Sequence, residues 1–197
     1  AWYADPIFLG SYPEEGLKAL ENNVPKFTDE EMTIISEPVD YCGLNLYSGF
    51  PVIADSELGW LCQNRPLGHP VTAFKWPVTP EIMYWAPKFF YERYKKPIYV
   101  TENGMSGHDW VDESGEIKDP QRIQFLKSYL KEYKKAASEG IPIKGYFLWS
   151  LMDNFEWEQG YEERFGIVHV DFETQERRLK DSAKWYSQCI ANQGEGL

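Results

Sequence analysis

The sequence contains few of the residues from which disulfide frameworks and metal centres are built. It has three cysteines and three histidines in 197 residues, and neither type shows the spacing of metal ligands. Because Cys42, Cys62 and Cys189 are odd in number and far apart, we interpret them as reduced, mostly structural thiols. This usage is compatible with a reducing compartment, and we expect a cytoplasmic location.

The sequence also lacks a long hydrophobic run and an excess of positive charge. Its best apolar run, Tyr146–Met152, is far shorter than the ~20 residues that a membrane-spanning helix needs, and the first residues do not resemble a signal peptide. Twenty Lys and Arg side chains stand against 31 Asp and Glu, for a formal net charge of -11. We therefore expect no membrane partner and no nucleic-acid partner, because this charge balance would not neutralise many phosphates.

Aromatic and apolar surface, by contrast, is abundant. The chain has 8 Trp, 13 Tyr and 11 Phe, and hydrophobic residues make up 43% of it. This composition is typical of a soluble, folded chain rather than a disordered one. The length fits one domain or a part of a larger one.

Three short apolar runs alternate with longer segments of helical periodicity. The runs are near-continuously apolar, which is typical of strands buried on both faces of a parallel sheet; they are Asp40–Leu46, Pro97–Glu102 and Lys144–Ser150. Capping and proline signals predict helices that begin at Thr28, Thr79-Pro80, Asp119-Pro120 and Asp181 or Ser182. The order predicts an α/β fold. Its strands are followed by the long connections 47–78, 103–118 and 151–180.

Two features at the predicted strand ends carry chemical interest. Glu102 closes the second strand, and a carboxylate there needs either an ion-pair partner or a catalytic task, which the residues alone leave open. Glu156 lies between Trp149 and Trp157 in the segment WSLMDNFEW. Tryptophan faces stack on the C–H face of a pyranose and carboxylates accept hydrogen bonds from paired hydroxyls. Aromatic residues alone, however, favour the edge of a hydrophobic core.

Several long motifs together resemble one enzyme family. YVTENG, FLWSLMDNFEW and GYEERFGIVHVDFETQERRLKDSAKWY resemble the retaining β-glycosidases of glycoside hydrolase family one, the β-glucosidase family. DYCGLNLYSG and WYADPIFLGSYP resemble the preceding segments, so the resemblance runs in order from about Trp2 to Tyr186. It implies that residues 1–197 are the C-terminal portion of a single catalytic domain. That portion is about three βα units of a (β/α)8 TIM barrel, incomplete without an N-terminal part.

The resemblance also implies roles for individual residues. Glu102 matches the family's nucleophile, and Tyr47 matches the tyrosine that orients it. The residues matched to sugar binding are Asn45, Trp149, Glu156, Trp157 and Phe165. The implied reaction is hydrolysis of terminal non-reducing β-D-glucosides, or related neutral β-glycosides, through a glycosyl-enzyme intermediate. No metal and no organic cofactor is required.

One part of the family's machinery has no counterpart. The acid/base glutamate belongs to an Asn-Glu-Pro motif, which the sequence lacks. Ser36-Glu37-Pro38 is superficially similar, but Glu37 precedes the first predicted strand and falls at the wrong end of a barrel. Two alternatives therefore stay open: a non-catalytic carbohydrate-binding module and a structural barrel fragment. Trp60, Trp76 and Trp110 in the long connections either line an acceptor-sugar site or anchor the loops, and we favour anchoring for at least two.

A three-stranded parallel sheet leaves two edges and one face uncovered. We predict that the chain folds stably only with a complementary N-terminal barrel part. That part is a separate chain, a cleaved one, or a second copy in a homo-oligomer. Sedimentation of the purified chain checks this, and a cooperatively folding monomer would contradict it.

Overall fold

The computed structural model describes residues 1–57 and 59–197; Leu58, in the predicted connection 47–78, lies outside the described residues. The α-helices in chain order are α1 Ala4–Leu9, α2 Glu14–Leu20, α3 Asp29–Ile35, α4 Ile82–Tyr94, α5 Pro120–Ser138 and α6 Asp181–Ala191. The strands are β1 Cys42–Asn45, β2 Val52–Asp55, β3 Gly59–Cys62, β4 Ile98–Asn103, β5 Ile143–Leu148, β6 Val168–Val170 and β7 Arg177–Leu179. Short 3-10 turns span Glu21–Asn23 and Trp157–Gln159.

A parallel sheet of three strands organises the fold. β4 lies in the middle, with β1 on one side and β5 on the other. Helix α4 connects β1 to β4, α5 connects β4 to β5, and α6 follows β5. The α/β alternation predicted from the sequence is therefore confirmed, with strand bounds that shift by no more than two residues.

The sheet is covered on one face only. Ile98 and Val100 of β4 are fully buried and pack in one core with Met83 of α4 and with Leu126 and Tyr129 of α5. The other face is open: Phe147 of β5 is 58% exposed. This agrees with the prediction that a three-stranded parallel sheet leaves one face uncovered. The strands are apolar on both sides, but helices cover only one of them.

One of the predicted helix caps is confirmed, and two are not. The Thr28 hydroxyl accepts the Glu31 N–H at 3.1 Å and the Glu31 carboxylate accepts the Thr28 N–H at 2.8 Å, so that predicted capping box is confirmed. Thr79, in contrast, does not cap α4, because its hydroxyl accepts the Gly49 N–H at 2.8 Å. Asp119 precedes Pro120 at the start of α5 as predicted, but its carboxylate pairs with the Arg122 guanidinium and accepts hydrogen bonds from Ser182 instead of capping the helix.

Two of the long connections contain β-hairpins that sequence reasoning missed. β2 pairs antiparallel with β3 after β1, and β6 pairs antiparallel with β7 after β5. Helices α1 and α2 were also not predicted, since six- and seven-residue helices give too little periodicity to recognise. Among the described residues, no helix is long and apolar enough to span a bilayer.

Helix α1 is fixed to α4 by one buried carboxylate. Asp5 is 2% exposed and accepts hydrogen bonds from Arg93 Nε at 2.8 Å and from the Tyr94 hydroxyl at 2.6 Å. Arg93 Nη2 also pairs with it. The Arg93 hydrogen bond, supported by that of Tyr94 and opposed by burial, lowers the pKa of Asp5 from 3.8 to about 2.

We predict that Asp5 contributes an acid-sensitive part of the stability. Its pKa is depressed in the fold, so its contribution is complete above the ordinary value of 3.8 and is lost as the pH falls towards 2. Asp5→Asn should lower the free energy of unfolding near neutral pH and flatten its decline through this window. Urea unfolding at a series of pH values measures both effects. An equally steep acid decline in the variant would contradict the assignment.

Candidate active site

The carboxyl ends of the three parallel strands meet at one edge of the sheet. Asn45 of β1 lies opposite Glu102 of β4, and Asn103 lies opposite Leu148 of β5. The Leu46 N–H donates to the Glu102 carbonyl at 2.8 Å, and the Trp149 N–H donates to the Asn103 carbonyl at 2.9 Å. The backbone ladder therefore brings three predicted site positions, separated by over a hundred residues of sequence, to one place.

Glu102 and Tyr47 form a direct hydrogen-bonded pair. The Tyr47 hydroxyl donates to Glu102 Oε2 at 2.8 Å. Burial, this hydrogen bond and the negative charges of Glu102 and Glu156 raise the pKa of Tyr47 well above its ordinary value. Tyr47 therefore remains a protonated donor to Glu102 near neutral pH.

A cleft of about 410 Å³ opens beside this pair, within the size range of small-molecule sites. Its described walls combine aromatic rings with carboxylates; they include Tyr47, Phe74, Trp76, Trp149, Trp157, Phe165, Glu102, Glu156 and Glu158. The Trp149 indole N–H lies 3.4 Å from Glu156 Oε2, a long contact. Trp157 is 80% exposed and stands at the rim.

Six of the seven predicted site residues line this cleft, and Asn45 is placed differently. Asn45 ends β1 next to Glu102, but it is absent from the described lining, and its Oδ1 accepts the Thr101 hydroxyl at 2.7 Å. Asn103, to which no role was given, is fully buried and joins the strand ends. Its amide donates to the Leu46 carbonyl and its oxygen accepts the Tyr146 hydroxyl, both at 2.7 Å.

The aromatic wall of the cleft could be predicted only in part from the sequence. Trp76 packs 5.0 Å from the Tyr47 ring and 6.0 Å from the Phe165 ring, and Phe74 packs against it. Two roles were considered for the loop tryptophans, lining a sugar site or anchoring the loops. Trp76 lines the cleft. Trp60 and Trp110 are 60% and 72% exposed, so the expectation that two of the three anchor loops is wrong. The sequence alone could not distinguish the role of Trp76 from those of Trp60 and Trp110, because that role depends on how the connection after β1 folds.

Six charged side chains form a cluster that we call the buried charge cluster. Its members are Arg122, Arg164, Lys180, Asp109, Asp119 and Asp153. The three positive and three negative charges balance, as burial requires. Although burial opposes the shift, Arg122 and Lys180 lower the pKa of Asp109. The cluster joins the connection after β4, the connection after β5 and the starts of α5 and α6.

Two glycines allow the strand ends and loops to approach closely. A Cβ on Gly104 would lie 1.8 Å from the Trp149 carbonyl oxygen, and one on Gly166 would lie 2.1 Å from the Asp153 nitrogen. Gly104 thus permits the turn after Glu102 to contact the end of β5. The glycine of the TENG sequence is explained by this backbone contact.

Glu37 stands away from the cleft. It is exposed in the segment between α3 and β1, at the amino end of the sheet, in agreement with the interpretation that it is not catalytic. Within residues 1–57 and 59–197, no group of three His, Cys, Asp or Glu side chains is arranged to hold a metal ion.

Comparison with known proteins matches this geometry to one enzyme family. The profile of glycosyl hydrolase family 1 matches residues 1–195. The chain belongs to glycosyl hydrolase family 1. Among its relatives, Beta-glucosidase A of Thermotoga maritima is 43% identical over 98% of this chain, and the 1,4-beta-D-glucan glucohydrolase of Thermotoga neapolitana is 40% identical over 98%.

Solved structures of family 1 agree with the fold. The Thermotoga maritima beta-glucosidase in complex with castanospermine superposes with a TM-score of 0.90, at 42% identity over 100% of this chain. This chain spans 44% of that structure and 43–44% of the two curated relatives. The three βα units described above are therefore a partial (β/α)8 barrel of the family 1 type, as the sequence predicted.

We predict that Gly104→Ala disrupts the strand ends. The added methyl group would overlap the Trp149 carbonyl oxygen, so β4 or β5 must move, at an expected cost of roughly 3 kcal/mol in the free energy of unfolding. Gly49→Ala is the matched control, because its methyl would meet the nearest side chain at an ordinary 3.9 Å. Urea unfolding of both variants measures the difference; similar costs would show that the close approach is not rigid.

Proposed function

We propose that this chain is the nucleophile-bearing portion of a retaining β-glycosidase. Its substrates are terminal non-reducing β-D-glucosides or related neutral β-glycosides. The observation that carries the proposal is the 2.8 Å hydrogen bond from Tyr47 to Glu102 at the wall of an aromatic cleft. Relatives about 40% identical that are named for β-glucosidase and glucan glucohydrolase activity support the same reaction class.

In this proposal Glu102 attacks the anomeric carbon. The Glu102 carboxylate displaces the aglycone oxygen and forms a glycosyl-enzyme ester, which water then hydrolyses with overall retention. Tyr47 fixes the direction of the nucleophile through the hydrogen bond. A second carboxyl group about 5–5.5 Å away protonates the leaving oxygen and later activates the water. We assign that group to the part of the barrel that this chain does not contain.

The remaining cleft residues suit a neutral sugar. We assign Trp149 and Phe165 as faces for the pyranose ring, and Glu156 with Trp157 as the partners of its hydroxyls. Asn45 lies at the end of β1 beside Glu102, and we assign it to a hydroxyl near the nucleophile. Glu156 and Glu158 both line the cleft, so a phosphorylated or otherwise anionic sugar would be repelled.

Catalysis in this proposal requires a complementary part of the barrel. The open sheet face exposes Tyr41 and Phe147, and the described residues pair no strand with the outer edges of β1 and β5. A separate chain, a cleaved one or a second copy would cover these surfaces.

The three cysteines are free and Cys62 is exposed, which supports a reducing compartment such as the cytoplasm.

We predict that Glu102→Gln abolishes ester formation in the assembled barrel. The amide cannot act as an anionic nucleophile, so hydrolysis of an aryl β-glucoside should fall at least about a thousandfold. An activated 2-deoxy-2-fluoro-β-glucoside, whose ester hydrolyses slowly, should label the unaltered protein on the peptide that contains Glu102. Intact and peptide mass spectrometry detect the adduct.

Glu162→Gln is the control for this experiment. Glu162 is an exposed acid in the connection after β5 and is not among the cleft residues, so the variant should be labelled like the unaltered protein. An adduct on another residue, or an unchanged adduct in Glu102→Gln, would refute the assignment. Sugar binding without any turnover by the assembled protein would favour a carbohydrate-binding module instead.

A further inference from the structure

Lys180 joins the two connections that carry the groups of the proposed site. Its ammonium group is fully buried, and it donates to Asp109 Oδ2 at 2.6 Å and to Asp153 Oδ1 at 2.8 Å. Asp109 belongs to the connection that follows Glu102, whereas Asp153 lies just before Glu156. One buried cation therefore ties the loop of the proposed nucleophile to the loop of the proposed sugar-binding acid.

Asp153 passes this constraint on to the wall of the cleft. Besides Lys180, its carboxylate accepts the Gly166 N–H at 3.0 Å and Arg164 Nη1 at 2.7 Å. Phe165 lies between these two partners in the chain, is 2% exposed, and packs against the rings of the cleft. The position of Asp153 thus controls both the segment that leads to Glu156 and the segment that contains Phe165.

The Glu156 side chain, unlike its backbone, is weakly held among the described residues. Its backbone belongs to a tight turn, in which its N–H donates to the Gly160 carbonyl at 2.7 Å. Its carboxylate is held by one long contact of 3.4 Å to the Trp149 indole. Glu102 and Tyr47, in contrast, are fixed by the strand ladder and by a 2.8 Å hydrogen bond to each other. Loss of an anchor in the connection after β5 would therefore displace Glu156 more than Glu102.

We propose that Lys180 is a positioning residue for sugar recognition, which holds Asp153 against Asp109 and so sets where Glu156 and Phe165 stand relative to Glu102. Lys180 acts through Asp153, because its ammonium is bound by two carboxylates and it is not among the cleft residues. The inference rests on the proposed function, which assigns Glu156 and Phe165 to the sugar site.

The first test needs no turnover. In Lys180→Met of the assembled barrel, which keeps a side chain of similar length, the Trp149 indole N–H resonance in a ¹⁵N–¹H spectrum should move towards its position in Glu156→Ala. Lys184→Met is the matched control, since Lys184 lies on the same helix and pairs with Asp181 at the surface; its spectrum should keep the native indole position. A native Trp149 resonance in folded Lys180→Met would overturn the proposal.

The second test separates positioning from general destabilisation. Glu156→Gln in the assembled barrel first identifies which monodeoxy aryl β-glucoside lacks the hydroxyl that Glu156 binds. Lys180→Met should then lower kcat/KM for the complete glucoside about tenfold, and for that deoxy substrate much less, because one charge-assisted hydrogen bond is lost. An equal loss on both substrates would show a purely structural role and overturn the proposal.

Asp109→Asn keeps the inference testable if Lys180→Met does not fold, and a double variant tests the route through Asp153 if it does. Asp109→Asn removes one charge but leaves an amide oxygen and the Lys180–Asp153 pair, and it should shift the Trp149 resonance in the same direction by a smaller amount; no shift would overturn the proposal. In the double variant Lys180→Met with Asp153→Asn, the selectivity change should equal that of a single variant, since both act on one contact. An additive change would contradict action through Asp153.

If the unaltered assembled barrel hydrolyses no glycoside, the proposed function fails. The resonance experiment on Trp149 still decides whether Lys180 positions Glu156, so the two failures are distinguishable.

Discussion

The buried charge cluster is the constraint on which the loops of this protein depend. Lys180, Arg122 and Asp153 have side chains that are 0–2% exposed, and each charge is matched by an opposite charge within hydrogen-bonding distance. Moving such groups out of water costs several kcal/mol per ion, so the cluster adds less to net stability than its number of contacts suggests. Its effect is geometric: every member must be present and in place, because an unpaired buried charge costs more than the pair contributes.

This requirement explains why the connections after β4 and β5 can be long and still hold a defined site. Long loops without internal structure lose much conformational entropy when they are fixed. Here the β6–β7 hairpin and the bonds from Asp153 to Gly166 and Arg164 fix the second connection. Arg122 Nη2 donates to the Arg164 carbonyl at 2.8 Å and so joins the first connection to it. The connection that follows Glu102 and the connection that carries Glu156 therefore share one anchor.

Much of the fold and part of the site could be predicted from the sequence, for physical reasons that differ by element. The strands and the longer helices have periodic apolar patterns that local sequence reveals, as β4 and α5 illustrate. Residues such as Glu102 and Trp149 could be recognised because they end those strands. The cluster could not be predicted, since Lys180 and Asp109 are 71 residues apart and an isolated Lys or Asp is usually solvated. The prediction that Thr79 caps α4 was wrong for a related reason: its hydroxyl accepts a hydrogen bond from the distant backbone N–H of Gly49.

The site divides its tasks between two kinds of structure. Glu102, Tyr47 and Asn45 stand on or next to the parallel strands, where the ladder and Asn103 fix them independently of the loops. Glu156, Trp157 and Phe165 stand on the connection after β5, whose position depends on buried ion pairs. A nucleophile needs a fixed direction towards one carbon atom, whereas recognition of hydroxyls differs from sugar to sugar. Under the proposed function, the nucleophile stands on the sheet and the sugar-binding groups stand on an anchored loop, so substitutions around Asp153 would change the preferred sugar without moving Glu102.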